Sequence, residues 1–462
     1  MSRISHFHRP LIQKRALKAD NLLTFKKNCC IISFVKLHGK RIYIMTKNIF
    51  TVAIIGVGGR GGYAYGTLIA DMPDKFKITA LCDVNTEKLG YFSEKFGVAK
   101  ENLYTDEVDF FKQKRADVLI ISTQDKDHVR HAKIAFSLGY DILLEKPITD
   151  KKEDLEELLA LQKQNGCKAL VCHVLRYAPA YMKIAELIES GAIGKLVAIN
   201  AIEQVGYLHQ AQSFVRGNWR RECDSVPMIL AKCSHDLDLI QFYANSTCDT
   251  LSSVGELSHF IKDNAPDGAA DRCLECQYVE SCPYSAKTEY IDKWLTVQQD
   301  IYPFNVPCNA PVTEEKMRTA LENGPYGRCV YKCDNDVVDH QMTQMTFKNG
   351  VKATLTMIAF SRFCGRRIEF FGTGGQITLD EIRNFIRVGV FGEAEYTLNI
   401  KDLTPEGTIH GGGDLGLVLE LYEVLTGNAS EKTSLAHSAE SHLIGIAAET
   451  SRKLGGALTK VH

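Results

Sequence analysis

The chain has 462 residues, of which 45% are hydrophobic and 24% charged, enough apolar content for a globular protein of two or three domains rather than a disordered chain. It holds no run of about 18 apolar residues, so no membrane span is expected. The formal net charge of -1 hides an uneven split: residues 1–44 carry ten Lys/Arg against Asp20 alone, leaving 45 basic and 55 acidic residues beyond them, and an acidic body argues against nucleic acid as a partner.

The basic leader is acid-poor, as a targeting presequence would be, but it contains only three Ser, and its apolar "CCIISFV" is flanked by Lys without a small-residue cleavage pattern. The expectation is that residues 1–44 are disordered, or lie upstream of a translation start at Met45, directly before "TKNIFTVAIIGVGG".

From Phe50 the pattern becomes regular. The apolar run "FTVAII" (50–55) is followed by Gly56-Val57-Gly58-Gly59-Arg60-Gly61, a helical stretch towards Asp71, and a second strand "FKITALCDV" (76–84). This sets G-x-G-x-x-G between strand and helix, with Asp83 at the end of the next strand. The glycines have separate jobs: Gly56 makes the tight turn, Gly58 lets the backbone approach a pyrophosphate, and Gly61 lets helix and strand pack closely. The helix amino terminus then faces the phosphate charge. Asp83 is expected to accept hydrogen bonds from the adenosine ribose diol and to repel a 2′-phosphate, which favours NAD over NADP.

Further strand and helix units follow: strand "ADVLIIS" (116–122), helix "DHVRHAKIAFSLG", strand "DILLEKP" (141–147), helix "KEDLEELLALQKQ" and strand "ALVCHV" (169–174). This alternation predicts an α/β fold that begins with a Rossmann dinucleotide-binding domain. Ligands of such folds bind outside the carboxyl ends of the parallel strands. Glu145 and Lys146 therefore sit at the edge where a nicotinamide is expected, and Lys146 is placed to meet the substrate. Pro147 fixes the chain just after it.

Together, the glycine-rich turn, the acidic strand end, His128, Glu145-Lys146-Pro147 and the later "HDLD" (235–238) resemble the glucose-fructose oxidoreductase/inositol dehydrogenase (Gfo/Idh/MocA) family over about residues 48–456. The resemblance implies an NAD-binding Rossmann domain (45–172) and a substrate-binding α/β domain with an open, mostly antiparallel sheet (173–462). It carries the family's catalytic Lys and His onto Lys146 and His235, places Thr123, His128 and Glu145 beside the cofactor, and suggests a homo-oligomer by analogy. One position departs from the pattern. Many relatives have an Asp four residues before the catalytic His, where this chain has Ala231, with Lys232 as its neighbour. Turned inward, Lys232 adds a second cation to the pocket; turned outward, it is solvated. Glu203 on the preceding strand is the candidate replacement for the missing carboxylate.

In the second domain, "VCHVLRYAPAY" (171–181) leads into helix "MKIAELIESG" and strand "KLVAINAIEQVGY" (195–207). The next stretch, "LHQAQSFVRGNWRR" (208–221), reads as a loop that brings His209, Arg216, Asn218 and Trp219 close together. Polar groups for hydroxyls and an apolar face for a ring are what a sugar needs; the alternative is a solvated crossover with Trp219 in the core. With Arg176 and Lys232, these residues are the expected substrate contacts. "LAKCSHDLDLIQFY" (230–243) then starts a helix with His235 near its amino end. Oxidising a secondary alcohol requires a base for the hydroxyl proton and a cation for the developing alkoxide, and His235 and Lys146 supply those two functions.

Residues 257–335 form a Cys-rich insertion. "CLECQYVESCPYSA" has C-x2-C-x5-C-P spacing and "CVYKC" adds C-x3-C. Cys273, Cys276 and Cys282 with Cys329 are the expected ligands of a structural zinc ion, the alternative being reduced thiols in a self-packed insertion; disulfides are disfavoured in a cytoplasmic protein. Beyond it, "VDHQMTQMTFKNG" and "VKATLTMIAF" predict a hairpin across Asn349-Gly350, "RRIEFFGTGGQITLD" and "FIRVGVFG" continue an antiparallel sheet, and two amphipathic helices close the domain. His410 and Asp414 fall at the start of the first of these helices. The functional expectation is an NAD-dependent oxidoreductase acting on a hydroxyl or keto group of a sugar, inositol or glycoside. The second reading is an NAD-dependent glycosidase that works by transient oxidation and elimination, and the third a nucleotide sensor without turnover.

Overall fold

The computed structural model describes residues 23–27, 30–37, 40–408 and 410–462. Within the basic leader, backbone strands β1 (Leu23–Lys27), β2 (Cys30–Leu37) and β3 (Lys40–Lys47) pair antiparallel. The expectation of disorder or a later start concerned residues 1–44, of which 1–22, 28, 29, 38 and 39 lie outside the described residues.

The first sheet is built from β4 (Phe50–Ile55), β5 (Phe76–Cys82), β6 (Leu103–Tyr104), β7 (Val118–Ile121), β8 (Asp141–Leu144) and β9 (Ala169–Val171), in the order β6-β5-β4-β7-β8-β9. All neighbours are parallel. Its strands read as unbroken apolar runs because both faces are covered. Val52, Ile54 and Leu81 pack on one side with Tyr65, Ile69 and Phe92, while Ala53, Ile55 and Leu119 pack on the other with Phe136 and Leu158.

The second sheet has the order β17-β16-β15-β14-β10-β13-β12-β11-β18, from β10 (Leu196–Gln204), β11 (Cys248–Glu256), β12 (His340–Phe347), β13 (Lys352–Ile358), β14 (Gly365–Gly372), β15 (Gly375–Asp380), β16 (Phe385–Val390), β17 (Tyr396–Asn399) and β18 (Thr459–Lys460). The expected hairpin joins β12 and β13, with Gly350 at φ +96°. Every pairing is antiparallel except that of β10 with β13. That crossover was not legible locally, since β10 inserts between strands some 150 residues later in the chain.

The last two helices do more than close the second domain. Leu417, Val418 and Leu421 of Gly413–Thr426 join the core of the first sheet. In Leu435–Lys453, Leu435 and Ala439 face the first sheet, and Ile444, Ala447 and Ala448 enter the core of the second. One helix therefore wedges both domains and fixes the cleft between them.

Candidate active site

The glycine-rich turn has room where a dinucleotide needs it and none where helix meets strand. Gly56 lies at φ +87°, and a Cβ there would come within 2.4 Å of the Ser122 carbonyl oxygen; at Gly61 it would meet the Gly56 oxygen at 2.1 Å, whereas at Gly58 it would meet no atom within 4 Å. The Asp83 carboxylate is fixed by two backbone donors, Val57 N–H at 2.8 Å and Asn85 N–H at 2.9 Å. It thus stands beside the turn at the end of β5 with lone pairs left for a diol. The open Gly58 position, the helix start behind it and the oriented carboxylate all fit a dinucleotide.

Three of the expected cofactor residues brace the strand ends. His128 is buried, with Nδ1 2.7 Å from the Pro147 oxygen and Nε2 3.2 Å from the Thr123 oxygen, so it links the chain leaving β7 to the chain leaving β8. The Thr123 hydroxyl is 3.0 Å from His131 Nδ1. Glu145 accepts from Arg60 Nε and from the Tyr65 hydroxyl, each at 2.8 Å. Burial pushes its carboxyl up, but Arg60 and Lys146 outweigh that and hold it below the usual carboxylate range.

Arg60, a variable position of the motif, was not singled out from sequence. It also grips Asp414 with Nη2 at 2.6 Å, and Asp414 Oδ2 lies 2.8 Å from His410 Nδ1. The start of the helix Gly413–Thr426 is thereby tied to the dinucleotide turn.

Lys146 extends from the end of β8 and donates through Nζ to the Ala231 oxygen at 3.0 Å; the Lys146–Pro147 bond is cis. Ala231 ends the short helix Met228–Ala231, and the helix Ser234–Ala244 that carries His235 begins three residues later. Burial lowers the Lys146 ammonium against the attraction of Glu145 and Asp125, with Lys232 and Arg60 pulling the same way as burial. His235 is lowered well below the ordinary imidazole value by burial and by Lys146, His173 and Arg366. Its Nδ1 is buried with no hydrogen-bond partner among the described residues. The parallel-sheet ammonium is thus held against the segment that carries the second-domain imidazole, close enough for its charge to act on that ring.

Behind His235 stands a file of imidazoles that sequence reading missed. His173 is 5.9 Å from the His235 ring and 5.8 Å from that of His442, centroid to centroid. His442 Nε2 accepts the Ile148 N–H at 2.8 Å, directly after the Glu-Lys-Pro turn. Burial lowers His173 to about 4 and His442 to about 3, so both are neutral rings.

Lys232 points inward but is paired, its Nζ 3.0 Å from Glu203 Oε1. Glu203 Oε2 also holds Arg366 Nη2 at 2.8 Å, and Arg366 Nε reaches Asp236 Oδ1 at 2.8 Å. Burial pushes Asp236 up to about 6 against the pull of Arg366, with Glu203 adding to the rise. Glu203, the candidate for orienting His235, is thus occupied by Lys232 and Arg366.

The stretch 208–221 is not the loop expected. Tyr207–His209 and Gln210–Arg216 are helical, and the whole of Gln210–Arg216 is buried. His209 stays at the cleft, its Nδ1 2.7 Å from the Tyr302 hydroxyl; burial, with Lys232 and Lys146, lowers it to about 3. The other expected sugar contacts are directed elsewhere. Arg216 donates to the Arg328 oxygen at 2.7 Å and the Tyr284 oxygen at 2.8 Å, bracketing the insertion. Trp219 packs on the second-domain core and Asn218 is exposed. Arg176 forms a bidentate pair with Asp238 at 2.6 and 2.7 Å.

The zinc expectation is corrected as well. Cys273, Cys276, Cys282 and Cys329 do line one small cavity, yet among the described residues no group of three or more His, Cys, Asp or Glu is arranged to hold a metal ion. The buried Arg216 guanidinium lines the same cavity and donates to Cys273 Sγ at 3.3 Å, a fixed cation where an ion would have to sit. The thirteen cysteines from Cys82 to Cys364 are free thiols.

Comparison with known proteins agrees with this architecture. Residues 50–173 match the oxidoreductase family described by an NAD-binding Rossmann fold, GFO_IDH_MocA, and residues 185–455 match that family's C-terminal alpha/beta domain. YteT of Bacillus subtilis (strain 168) is 22% identical over 413 residues, covering 82% of this chain and 92% of that protein. The D-xylose dehydrogenase of Paenarthrobacter nicotinovorans is 28% identical over 177 residues, covering 35% of this chain and 45% of its own. Among solved structures, levoglucosan dehydrogenase in complex with NADH and levoglucosan superposes with a TM-score of 0.64 at 18% identity, covering 90% of this chain and 100% of that one. An oxidoreductase from Agrobacterium radiobacter in complex with NAD+, L-tartaric acid and magnesium gives 0.62 at 15% identity, covering 89% and 98%. The two family matches span both sheets but for β18, together with the two helices that join them, and this chain belongs to the Gfo/Idh/MocA family of NAD-binding oxidoreductases.

Proposed function

We propose that this protein moves a hydride between nicotinamide and the carbinol carbon of a sugar, inositol or glycoside, using NAD in preference to NADP. The observation that carries the reading is the Lys146 Nζ bond to the Ala231 oxygen at 3.0 Å, because it brings the rim of the parallel sheet against the segment that presents His235. NAD, when bound, accepts the hydride. His235, held neutral by burial, takes the hydroxyl proton, and the Lys146 ammonium stabilises the developing alkoxide. His209 presents hydrogen-bonding groups to the remaining hydroxyls, and the Asp83 carboxylate would be repelled by a 2′-phosphate.

The test is a panel of sugars, polyols and glycosides incubated with NAD while NADH absorbance is followed. Net NADH formation with one of them supports the dehydrogenase. Aglycone release without net NADH points instead to oxidation–elimination, and turnover left intact in Lys146→Ala removes the mechanism in either form.

The same proposal includes a cytoplasmic, homo-oligomeric protein. Free thiols suit a reducing compartment. The outer face of the second sheet carries the cross-strand row Val254, Met342, Thr356 and Ile202, of which Val254 and Met342 are half exposed; light scattering on the eluting protein tests whether that face pairs subunits. Among the described residues no helix is long and apolar enough to cross a membrane.

A further inference from the structure

The Cys-rich insertion reaches back over the groove. Its base is a small core that includes Tyr290, Ile291, Phe304, Val312, Met317 and Leu321, and the Tyr290 hydroxyl ties it to Gln212 at 3.0 Å. Residues 298–312 form a closed loop on this base, anchored in it by Phe304 and Val312: Asp300 Oδ1 accepts the Val312 N–H at 2.7 Å and Asn305 Nδ2 donates to the Asp300 oxygen at 3.2 Å. Two sets of contacts leave the loop in different directions. On the substrate side, the Tyr302 hydroxyl meets His209 Nδ1 at 2.7 Å while the residue as a whole stays 56% exposed. On the dinucleotide side, Asn309 Nδ2 donates to Glu87 Oε2 at 2.9 Å, in the first turn of the helix that follows Asp83. Asn305 lies close to Tyr63, which is on the helical segment leaving the glycine-rich turn.

One loop therefore touches the substrate wall of the cleft and two elements that frame the dinucleotide groove. We propose that residues 298–312 are a lid over that groove and that Tyr302, acting jointly with His209, is a specificity-determining contact for substrate hydroxyls. The proposal rests on the reading of the groove as the NAD site. A dinucleotide under the loop leaves only when the Asn309–Glu87 and Asn305–Tyr63 contacts part. His209 is held neutral by burial, so with Tyr302 donating to Nδ1 the ring keeps Nε2–H for a substrate oxygen, and the Tyr302 oxygen keeps acceptor capacity for a substrate hydroxyl.

Release of NADH, followed by its fluorescence in a stopped-flow instrument, tests the lid without any substrate. The double variant Asn305→Ala/Asn309→Ala is expected to speed release about fivefold or more, the scale of one to two lost hydrogen bonds; release at the wild-type rate overturns the lid. With the sugar or polyol that the wild type oxidises, Tyr302→Phe is expected to raise KM about fivefold with kcat little changed, and an unchanged KM overturns the specificity role. A wild-type protein that binds no NADH, or oxidises nothing in the panel, defeats the proposed function and the Tyr302 role with it. A protein that binds NADH and turns over but releases it equally fast in the double variant defeats the lid alone.

Discussion

Lys146 and Ala231, 85 positions apart in sequence, are joined by a 3.0 Å hydrogen bond from the ammonium to the backbone carbonyl. The bond spans the two domains and ends four residues before His235. An ammonium so placed has no carboxylate within salt-bridge distance among the described residues, because Glu145 is held by Arg60 and Tyr65. Its charge is therefore free to act on a substrate oxygen. Lys146→Met is expected to lower kcat by about 100- to 1000-fold, the range for removing one oxyanion stabiliser, with NADH affinity within a few-fold of wild type. Fluorescence titration alongside initial rates separates the two effects.

His235 sets the acid limb of the rate profile. Its imidazole is lowered by burial first and by Lys146 next, so the neutral base persists as pH falls through the ordinary histidine value near 6.5. The kcat/KM for alcohol oxidation is expected to stay level from pH 7.5 to below about pH 6. An inflection at pH 6.5 or above, lost in His235→Asn, would contradict the burial of that ring.

The imidazole file also links stability to pH. His173 and His442 are lowered to about 4 and about 3, so below pH 6.5 the unfolded chain binds protons that the folded protein refuses. Stability is fully present above the unfolded value and is lost as pH falls towards 4, by on the order of 3 kcal/mol for His173 alone. Thermal melts between pH 7 and 4.5 should show that decline, and His173→Phe should flatten part of it.

The glycine-rich turn separates folding from binding. A methyl at Gly61 has nowhere to go, since the Gly56 oxygen would lie 2.1 Å away; Gly61→Ala should destabilise the protein by about 1–3 kcal/mol, the scale of overpacking. Gly58 faces open space, so Gly58→Ala should melt near the wild-type temperature yet bind NADH at least tenfold more weakly, where the added methyl meets the pyrophosphate. Equal losses of stability in both variants would mean that Gly58 serves packing instead.

Much of this was readable before any coordinates. The apolar run at 50–55, the three glycines, the acid at 83 and the Asn349-Gly350 hairpin are local signals, set by backbone conformation and by which faces of a strand are covered, and each stands where the sequence pattern put it. The stretch 208–221 misled because its polar residues were read as sugar contacts gathered on a loop. Arg216 and Gln212 instead reach out from a buried helix to bond partners in the insertion, and such satisfaction at a distance leaves no periodic trace. The four clustered cysteines had a zinc-like spacing, but spacing cannot reveal that an arginine from another segment reaches the same cavity.

The sequence alone determined the dinucleotide-binding half, because strand, turn and helix chemistry is encoded within a few residues of each position, and its family resemblance pointed to Lys146 and His235. Tertiary structure alone decided that Lys232 is matched by Glu203, that His173 and His442 stand behind His235, and that Tyr302 arrives at His209 from 93 residues away. Those relationships depend on how two sheets, one shared helix and an insertion pack together, and burial and pairing of charge exist only once distant segments have met.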